Sequence, residues 1–368
     1  MQMPDIRLLL IGSGAVMLGH MRSLVQLKGV KIVGLADVDE ARMARAMEML
    51  EEPVPGLLDY RQLLETVEAD ACFIAVPNYL HRQVACDCLD AGLHTMCEKP
   101  LATTTADCDA MIEAAERNDR FLQVGLSCRF SRVDSTAHRL VVSGMIGEPK
   151  MVWAREFRAP FAKKYQDWIL DRDRSGGTLV EKTCHHFDLF NWFTGACRES
   201  NATRVYGSGG ADWVYQDHAH LPVGVTEAER PTLNIIDNAF VTVDYDTGAR
   251  AQLLLCMFAN RGRKLEVGVQ GTEGAVVYYR LESLVELYDG DHPKDPRRIE
   301  IDIPDDEVGL SHQGQAYLEQ LYFFDCIRKG ERPKVDGVVG KRSVEIALAA
   351  EESVRSHLPV EISATPLV

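Results

Sequence analysis

Two glycines near the N-terminus have the spacing of a phosphate-binding turn. Gly12-Ser13-Gly14 follows an apolar run at 6–11 and precedes a helical pattern that starts at residue 15. In that context Gly12 permits a tight turn, and Gly14 lets backbone amides approach a pyrophosphate at the start of the helix. Met17 stands where a third glycine would serve helix packing. The pattern predicts a dinucleotide site, and a glycine turn without a ligand is the alternative.

An acidic residue follows at the distance expected of a ribose ligand. Asp37 ends the second apolar run, where a carboxylate would bind the adenosine ribose diol. The same charge would repel a 2′-phosphate by about 1 to 4 kcal/mol at a separation of about 4 Å, depending on the dielectric. The cofactor predicted is therefore NAD, with NADP the less favoured. A helix N-cap is the alternative role for Asp37, and Asp39 could supply that cap equally well.

The elements that must position these residues alternate along the first part of the chain. Apolar strand-like runs alternate with helical patterns. The predicted strands are 6–11, 31–36, 71–76, 94–97 and 121–125, and the predicted helices are 15–27, 40–50, 79–91 and 105–118. Strands separated by helices imply right-handed crossovers and a doubly wound parallel sheet, so the fold class is α/β.

The pattern changes near residue 126, after which β-branched and aromatic runs dominate. The predicted strands are 151–157, 239–245, 250–257, 264–270 and 275–279, and the predicted helices are 131–143, 314–329 and 341–357. Turn signals at 246–248 and 270–274 indicate hairpins. We therefore expect a domain at 1–126 and an α+β domain at 127–368 with a large, mostly antiparallel open sheet. The polar stretch 207–232 is the best candidate for a long functional loop.

Composition excludes several classes of function. The 368 residues are 46% apolar and 26% charged, as in globular proteins, and their net charge of −15 argues against nucleic acid and anionic membranes. No apolar run approaches the roughly 18 residues of a membrane span. The ten cysteines contain no CxxC spacing, which favours reduced thiols in the cytoplasm and gives no indication of zinc.

Two further segments give the chain a resemblance to a known family. Residues 70–81 read Asp-Ala-Cys-Phe-Ile-Ala-Val-Pro-Asn-Tyr-Leu-His, and residues 97–101 read Cys-Glu-Lys-Pro-Leu. Together with residues 12–20 they resemble the glucose–fructose oxidoreductase / inositol dehydrogenase family (Gfo/Idh/MocA), and the likeness extends through 175–188. The resemblance implies hydride transfer between a nicotinamide and a hydroxyl-bearing carbon of a sugar, glycoside or polyol. It also implies a homodimer or homotetramer that associates through the second-domain sheet, here around 239–279.

The resemblance assigns cofactor roles to the first half. Pro77, Asn78 and His81 match a loop that lines the nicotinamide ribose. Glu98 and Lys99 match the strand end that faces the nicotinamide, where the lysine also contacts the substrate hydroxyl.

In the second half the resemblance assigns the catalytic acid–base groups. Residues 181–185 match a segment usually written Asp-x-x-x-His, which places Glu181 at the acidic position and His185 at the catalytic histidine. A histidine suits the role of base because its ordinary pKa of about 6.5 lies near neutral pH. Lys99 would stabilise the developing alkoxide, and Glu181 would orient one of the pair or bind another substrate hydroxyl. Arg129 and Trp168 are further candidate substrate contacts.

Alternatives remain open for these assignments. Lys99 could be a surface lysine and His185 a buried structural histidine. A metal centre is another possibility, from the ligand-rich set Glu181, His185, His186, Asp188, His218 and His220. Adjacent histidines seldom converge on one ion, so no metal is predicted. The function could also be transient oxidation of a glycoside by a tightly held NAD, or non-catalytic sensing of NAD or a metabolite. Lys182 and His186, with Glu in place of Asp at 181, depart from the family pattern and leave the substrate open.

Overall fold

The computed structural model describes residues 5–160, 167–214, 234–304, 307, 310 and 314–363, which belong to two compact units. The first unit comprises Met1–Phe130 and Ile303–Lys341, and the second comprises Ser131–Asp302 and Arg342–Val368. The sequence assigned everything from residue 127 onward to the second domain. In the structure, residues 303–341 group with the first unit instead.

The first unit contains a six-stranded parallel sheet of order β3-β2-β1-β4-β5-β6. Its strands are β1 (Ile6–Ile11), β2 (Val30–Ala36), β3 (Gly56–Leu57), β4 (Ala71–Ile74), β5 (His94–Cys97) and β6 (Leu122–Val124). Strands β1 and β4 consist almost wholly of buried apolar residues, as parallel strands covered on both faces must. The predicted doubly wound fold is confirmed.

Among the described residues, six α-helices belong wholly to the first unit. They are α1 (Ala15–Leu24), α2 (Glu40–Met47), α3 (Tyr60–Thr66), α4 (His81–Asp90), α5 (Thr105–Arg117) and, from the distant segment, α9 (Gln315–Lys329). Phe323 and Phe324 of α9 share one hydrophobic core with Met17 and Met21 of α1. The sequence did not predict β3 or α3, because two and seven residues are too short for a clear periodic signal.

The second unit contains a nine-stranded sheet of order β14-β13-β12-β11-β7-β10-β9-β8-β15. Its strands are β7 (Pro149–Phe157), β8 (Ala202–Gly210), β9 (Asn238–Tyr245), β10 (Arg250–Cys256), β11 (Lys264–Gly271), β12 (Ala275–Tyr279), β13 (Leu284–Tyr288), β14 (Arg297–Glu300) and β15 (Val360–Glu361). Only the β7–β10 pair is parallel among these neighbours, so the predicted, mostly antiparallel sheet is confirmed. The predicted turns at 246–248 and 270–274 join antiparallel neighbours.

Helices cover one face of this sheet, where α6 packs on β12 and α8 packs on β7. The helices are α6 (Arg132–Val142), the single turn α7 (Arg172–Ser175), α8 (Thr178–Thr194) and α10 (Gly337–Ser356), whose first residues belong to the first unit. The sequence did not predict α8. Its side chains are buried on nearly every side, so the amphipathic period of a surface helix is missing.

The predicted loop at 207–232 needs correction. Strand β8 continues to Gly210 and pairs with β9 along its whole length. Residues 215–233 lie outside the described part of the chain. None of the helices among the described residues combines the length and the apolarity that a bilayer crossing requires.

Candidate active site

The turn between β1 and α1 has the shape of a phosphate cradle. Gly12 has a φ of +89°, and a Cβ there would lie 2.5 Å from the carbonyl oxygen of Ala75, so only glycine fits. A Cβ on Gly14 would meet no atom within 4 Å. This leaves open space at the N-terminus of α1, where backbone amides and the helix dipole favour a pyrophosphate. The residues present therefore fit a dinucleotide.

Asp37 lies directly beside this turn. Its Oδ2 atom accepts a hydrogen bond of 2.6 Å from the backbone amide of Ser13, and its Oδ1 atom accepts one of 2.9 Å from the amide of Asp39. The N-cap of α2 is Asp39, whose side chain accepts from the amides of Ala41 and Arg42. Asp37 is therefore not the helix cap, and its carboxylate lies at the end of β2 where a ribose ligand is expected.

The ends of β4 and β5 bring the next group of predicted residues to one edge of the sheet. Pro77 precedes a short 3₁₀ turn, and the side chain of Asn78 in that turn is buried. Because β4 and β5 are parallel neighbours, this turn and the segment that starts at Glu98 leave the same edge. That edge is where ligands bind in open α/β sheets.

His81 requires a correction. Its side chain is fully buried, with Nδ1 2.8 Å from the carbonyl oxygen of Pro100 and Nε2 3.0 Å from that of Val76. Burial lowers the pKa of this imidazole below its ordinary value. A buried ring between two carbonyl groups does not face a ligand, so the structure places His81 beneath the two loops, where it holds them together.

Glu98 carries a charge that is fixed by its partners. Its Oε1 atom lies 2.7 Å from Nε2 of His20, and its Oε2 atom accepts a hydrogen bond of 3.1 Å from the backbone amide of Lys99. Burial raises the pKa of this carboxyl, but the hydrogen bond and charge of His20 and the charge of Lys99 outweigh it, so the net shift is downward. No role for His20 was predicted from the sequence, since its partner Glu98 lies 78 positions away along the chain.

Lys99 and Arg129 follow two neighbouring parallel strands of the first unit. Lys99 comes two residues after the end of β5, and Arg129 lies in the 3₁₀ turn Ser127–Phe130 that follows β6. Both side chains are half-buried. The carboxyl edge of the sheet thus holds two cationic side chains beside the ionised Glu98.

In the second unit, α8 carries Glu181 and His185 four residues apart. Residues at this spacing lie on the same face of a helix. Glu181 is buried and His185 is half-buried. Trp168 is half-buried in the 3₁₀ turn Asp167–Leu170 of the same unit.

The neighbouring pair on α8 is held by a buried carboxylate on β7. Oε1 of Glu156 lies 3.6 Å from Nζ of Lys182, and Oε2 lies 3.2 Å from Nε2 of His186. Arg158 adds a second cationic side chain beside Lys182, with a guanidinium nitrogen 3.6 Å from Oε1 of Glu156. Burial raises the pKa of Glu156, but Lys182, His186 and Arg158 outweigh it and hold that pKa well below its usual range. This cluster fixes the rotation of α8, and it explains the two departures, Lys182 and His186, from the family pattern.

A second buried carboxylate caps the start of α8. Oε1 of Glu351 accepts a hydrogen bond of 2.8 Å from the amide of Leu179. Gly177, with a φ of +92°, lies so close that a Cβ would come within 2.5 Å of this oxygen. Burial raises the pKa of Glu351 to about 7, although the Leu179 amide and the charge of Arg172 oppose the shift. The contact between Glu351 and Leu179 could not be predicted from the sequence, because it joins residues 172 positions apart.

The structure describes the predicted catalytic residues in separate units. Lys99 belongs to the first unit, whereas Glu181 and His185 belong to the second. Within the described part of the chain, no group of three or more histidine, cysteine, aspartate or glutamate side chains could hold a metal ion. His218 and His220 lie outside the described residues.

Comparison with known proteins identifies both units. Residues 6–126 match the model of an oxidoreductase family with an NAD-binding Rossmann fold, and residues 138–362 match the C-terminal alpha/beta domain of the same family. This chain belongs to the Gfo/Idh/MocA oxidoreductase family. As a Gfo/Idh/MocA protein it has an NAD-binding Rossmann domain, which agrees with the open cradle at Gly14.

Individual relatives are distant but span the whole chain. Myo-inositol 2-dehydrogenase of Thermotoga maritima is 25% identical over 362 residues, which cover 97% of this chain and 98% of that protein. The scyllo-inositol 2-dehydrogenase (NAD(+)) of Bacillus subtilis is 23% identical over 366 residues, which cover 97% of this chain and 96% of that protein. A solved structure of levoglucosan dehydrogenase in complex with NADH and L-sorbose has a TM-score of 0.83 at 19% sequence identity. The match covers 99% of this chain and 100% of that chain. At that identity the last comparison supports the fold alone.

Proposed function

We propose that this Gfo/Idh/MocA protein transfers a hydride between NAD and a hydroxyl-bearing carbon of a sugar, glycoside or polyol. The observation that carries the proposal is the carboxyl edge of the first sheet. There the cradle at Gly14, the Asp37 carboxylate and the Glu98–Lys99 strand end come from one sheet. The named inositol dehydrogenases among the relatives support a polyhydroxylated substrate.

Each proposed residue has a separate chemical task. When bound, NAD supplies the acceptor for the hydride that leaves the carbinol carbon. His185 accepts the hydroxyl proton at a ring nitrogen, and Lys99 hydrogen-bonds the same oxygen while negative charge develops on it. Glu181, one helical turn before His185, orients the base or binds a neighbouring hydroxyl. Arg129 and Trp168 bind further parts of the substrate.

The proposal is tested by incubating the pure protein with NAD and a panel of inositols, aldoses, anhydrosugars and glycosides. We expect NADH absorbance to appear with at least one polyhydroxylated compound. Protein carrying both Lys99→Ala and His185→Ala is the control and should give no signal. Activity confined to thiols, amino acids or aldehydes would overturn the proposal.

We also propose a homodimer or homotetramer that associates through the open face of the nine-stranded sheet. The face opposite α6 and α8 exposes large apolar side chains in its central strands, with Met151 59% exposed and Phe240 57% exposed. Isolated apolar residues are common on surfaces, but a cluster on one sheet face favours a protein partner. Arg155 and Glu266 form an ion pair of 2.6 Å on the same face, which adds a polar component.

A cytoplasmic location completes the proposal. All ten cysteines of the chain are in the thiol form, outside any disulfide, and most of them are buried. Thiols in this number favour a reducing compartment.

A further inference from the structure

Three elements of the first unit meet at the carboxylate of Glu98. His20 of α1 places Nε2 2.7 Å from Oε1 of Glu98, and its Nδ1 lies 2.9 Å from the side-chain amide of Gln320 on α9. Gln320 is fully buried and its Oε1 atom lies 2.8 Å from Oγ of Ser23. The His20 ring also packs edge-on against Phe73. The imidazole is therefore held on three sides, and its remaining nitrogen faces Glu98.

Glu98 carries the negative charge of this cluster. Glu319 is fully buried, and among the described residues neither of its carboxylate oxygens has a hydrogen-bond partner. Burial, together with the negative charge of Glu98, raises the pKa of Glu319 well above its usual range, which favours its neutral form. Burial lowers the pKa of His81, which favours the neutral form of that ring as well. Lys99 is a further titratable neighbour, and its charge favours the anionic form of Glu98.

The position of this charge matters for the cofactor. In doubly wound sheets a dinucleotide lies across the carboxyl edge, with one half on each side of the point where strand order reverses. Here that point lies between β1 and β4. The adenosine ligand Asp37 follows β2, so the nicotinamide half belongs to the side of β4 and β5, where Glu98 is. A nicotinamide ring is positively charged in NAD⁺ and uncharged in NADH.

We propose that His20 holds Glu98 in its charged form and that this buried pair makes the protein bind NAD⁺ more tightly, relative to NADH, than it otherwise would. The inference rests on the cofactor part of the proposed function. His20 is a positioning residue in this account, since it acts through Glu98. The pair thus stabilises the oxidised cofactor relative to the reduced one.

The decisive measurement is the ratio of the two dissociation constants, Kd(NAD⁺) divided by Kd(NADH), without any substrate. NADH binding is followed by NADH fluorescence, and NAD⁺ binding is followed by its competition with NADH. Glu98→Gln keeps the shape of the side chain and removes its charge. It should raise the ratio about three- to thirtyfold, the range expected for one unit charge at short range in a protein environment. An equal change in both constants would overturn the role of the charge.

The role of His20 is tested by the pH dependence of the same ratio. His20→Leu removes the partner of Oε1 of Glu98 and leaves that oxygen in a largely buried site beside Glu319, so Glu98 should bind a proton near pH 7. The ratio Kd(NAD⁺)/Kd(NADH) of His20→Leu should then equal that of Glu98→Gln at pH 7 and return towards the wild-type value at pH 9. His20→Gln retains an N–H donor and should stay close to wild type throughout. A His20→Leu protein that loses affinity for both cofactors equally at every pH would overturn the inference.

Two controls separate this effect from general ones. Glu68→Gln removes a carboxylate that pairs with Arg7 near the start of β1, at the opposite edge of the sheet, and should leave the ratio unchanged. Glu319→Gln replaces a neutral acid by a neutral amide and should also leave it unchanged. Wild-type protein that bound neither cofactor would overturn both the inference and the proposed function. Binding of both cofactors without oxidation of any sugar would overturn the function alone.

Discussion

Lys99 and His185 are the side chains on which the proposed proton transfer depends. Lys99→Ala and His185→Ala should each lower turnover by a factor of roughly 10² to 10⁴, the range for a positioned acid–base group. The double variant should lose much less than the product of the two factors, because residues that act as a unit are not additive. Steady-state kinetics on the identified substrate measure these effects.

Cofactor binding provides the control for those variants. The pyrophosphate and ribose contacts proposed at Gly12, Gly14 and Asp37 are untouched, so NADH affinity should survive in all three proteins. A His185→Ala protein with near-normal turnover would contradict the assignment of the base. Lys99 or Glu181 would then have to accept the proton.

Asp37 and Asp39 form a matched pair for testing cofactor preference. Asp37→Ser removes the charge beside the Ser13 amide and should improve the affinity for NADP relative to NAD by about tenfold or more. Asp39→Ser keeps a capping side chain on α2 and should leave the preference unchanged. Competition titrations with NAD and NADP measure both effects. A wild-type protein that already preferred NADP would contradict the placement of Asp37 at the ribose.

The sequence predicts a residue's environment only where the pattern is local. Gly12 and Asp37 could be selected because their roles follow from a turn and a strand end. The burial of His81 and the pairing of His20 with Glu98 could not be inferred, since both arise from contacts between segments distant in sequence. The same holds for Glu156, whose strand gives no sign that α8 will place Lys182 and His186 against it.

Among the elements, α8 depends on a titratable cap. The pKa of Glu351 is about 7 in the folded protein, above its ordinary 4.5, so the folded state binds this proton more tightly than the unfolded chain does. The stability that the protonated form contributes is fully present below pH 4.5 and is lost as the pH rises through 7. The whole effect is about 3 kcal/mol.

Glu351→Gln should remove this part of the pH dependence while its side-chain carbonyl still accepts from the Leu179 amide. The unfolding temperature should therefore change less between pH 5 and pH 8 in the variant than in the wild type. Glu352→Gln, at the neighbouring half-buried position, should behave like the wild type in the same scan. If the unfolding temperatures of Glu351→Gln and wild type changed equally with pH, Glu351 would not titrate between pH 5 and pH 8.

The strand-like and helical patterns in the sequence were sufficient to predict most strands of both sheets. Strands β1, β5 and β12 have the predicted bounds, because each is a short apolar run with clear turn signals on both sides. Helix α8 was missed because burial on nearly every side removes its period. The last four residues of β8, 207–210, were mistaken for the start of a loop, since three glycines and one serine suggested a turn.

For the whole molecule, the open sheet face is where we expect association. Phe240→Asp combined with Met151→Asp places two charges on that face and should shift the mass measured by light scattering towards the monomer at micromolar concentration. Val142→Asp is the matched control, because Val142 is 52% exposed at the end of α6, a helix that packs on the other face. A wild-type monomer across this concentration range would contradict the predicted oligomer.

The placement of residues 303–341 in the first unit has a consequence for how such a protein can be recombined. A fragment ending at residue 126 would lack Phe323 and Phe324, so the apolar side of α1 would face water. Residues 131–302 therefore behave as a long insertion within the cofactor-binding unit rather than as the start of an appended module. A chimera that exchanges this unit between two relatives needs three junctions, near residues 130, 303 and 341, because the chain returns to the second unit after residue 341. A single junction should give an aggregating product.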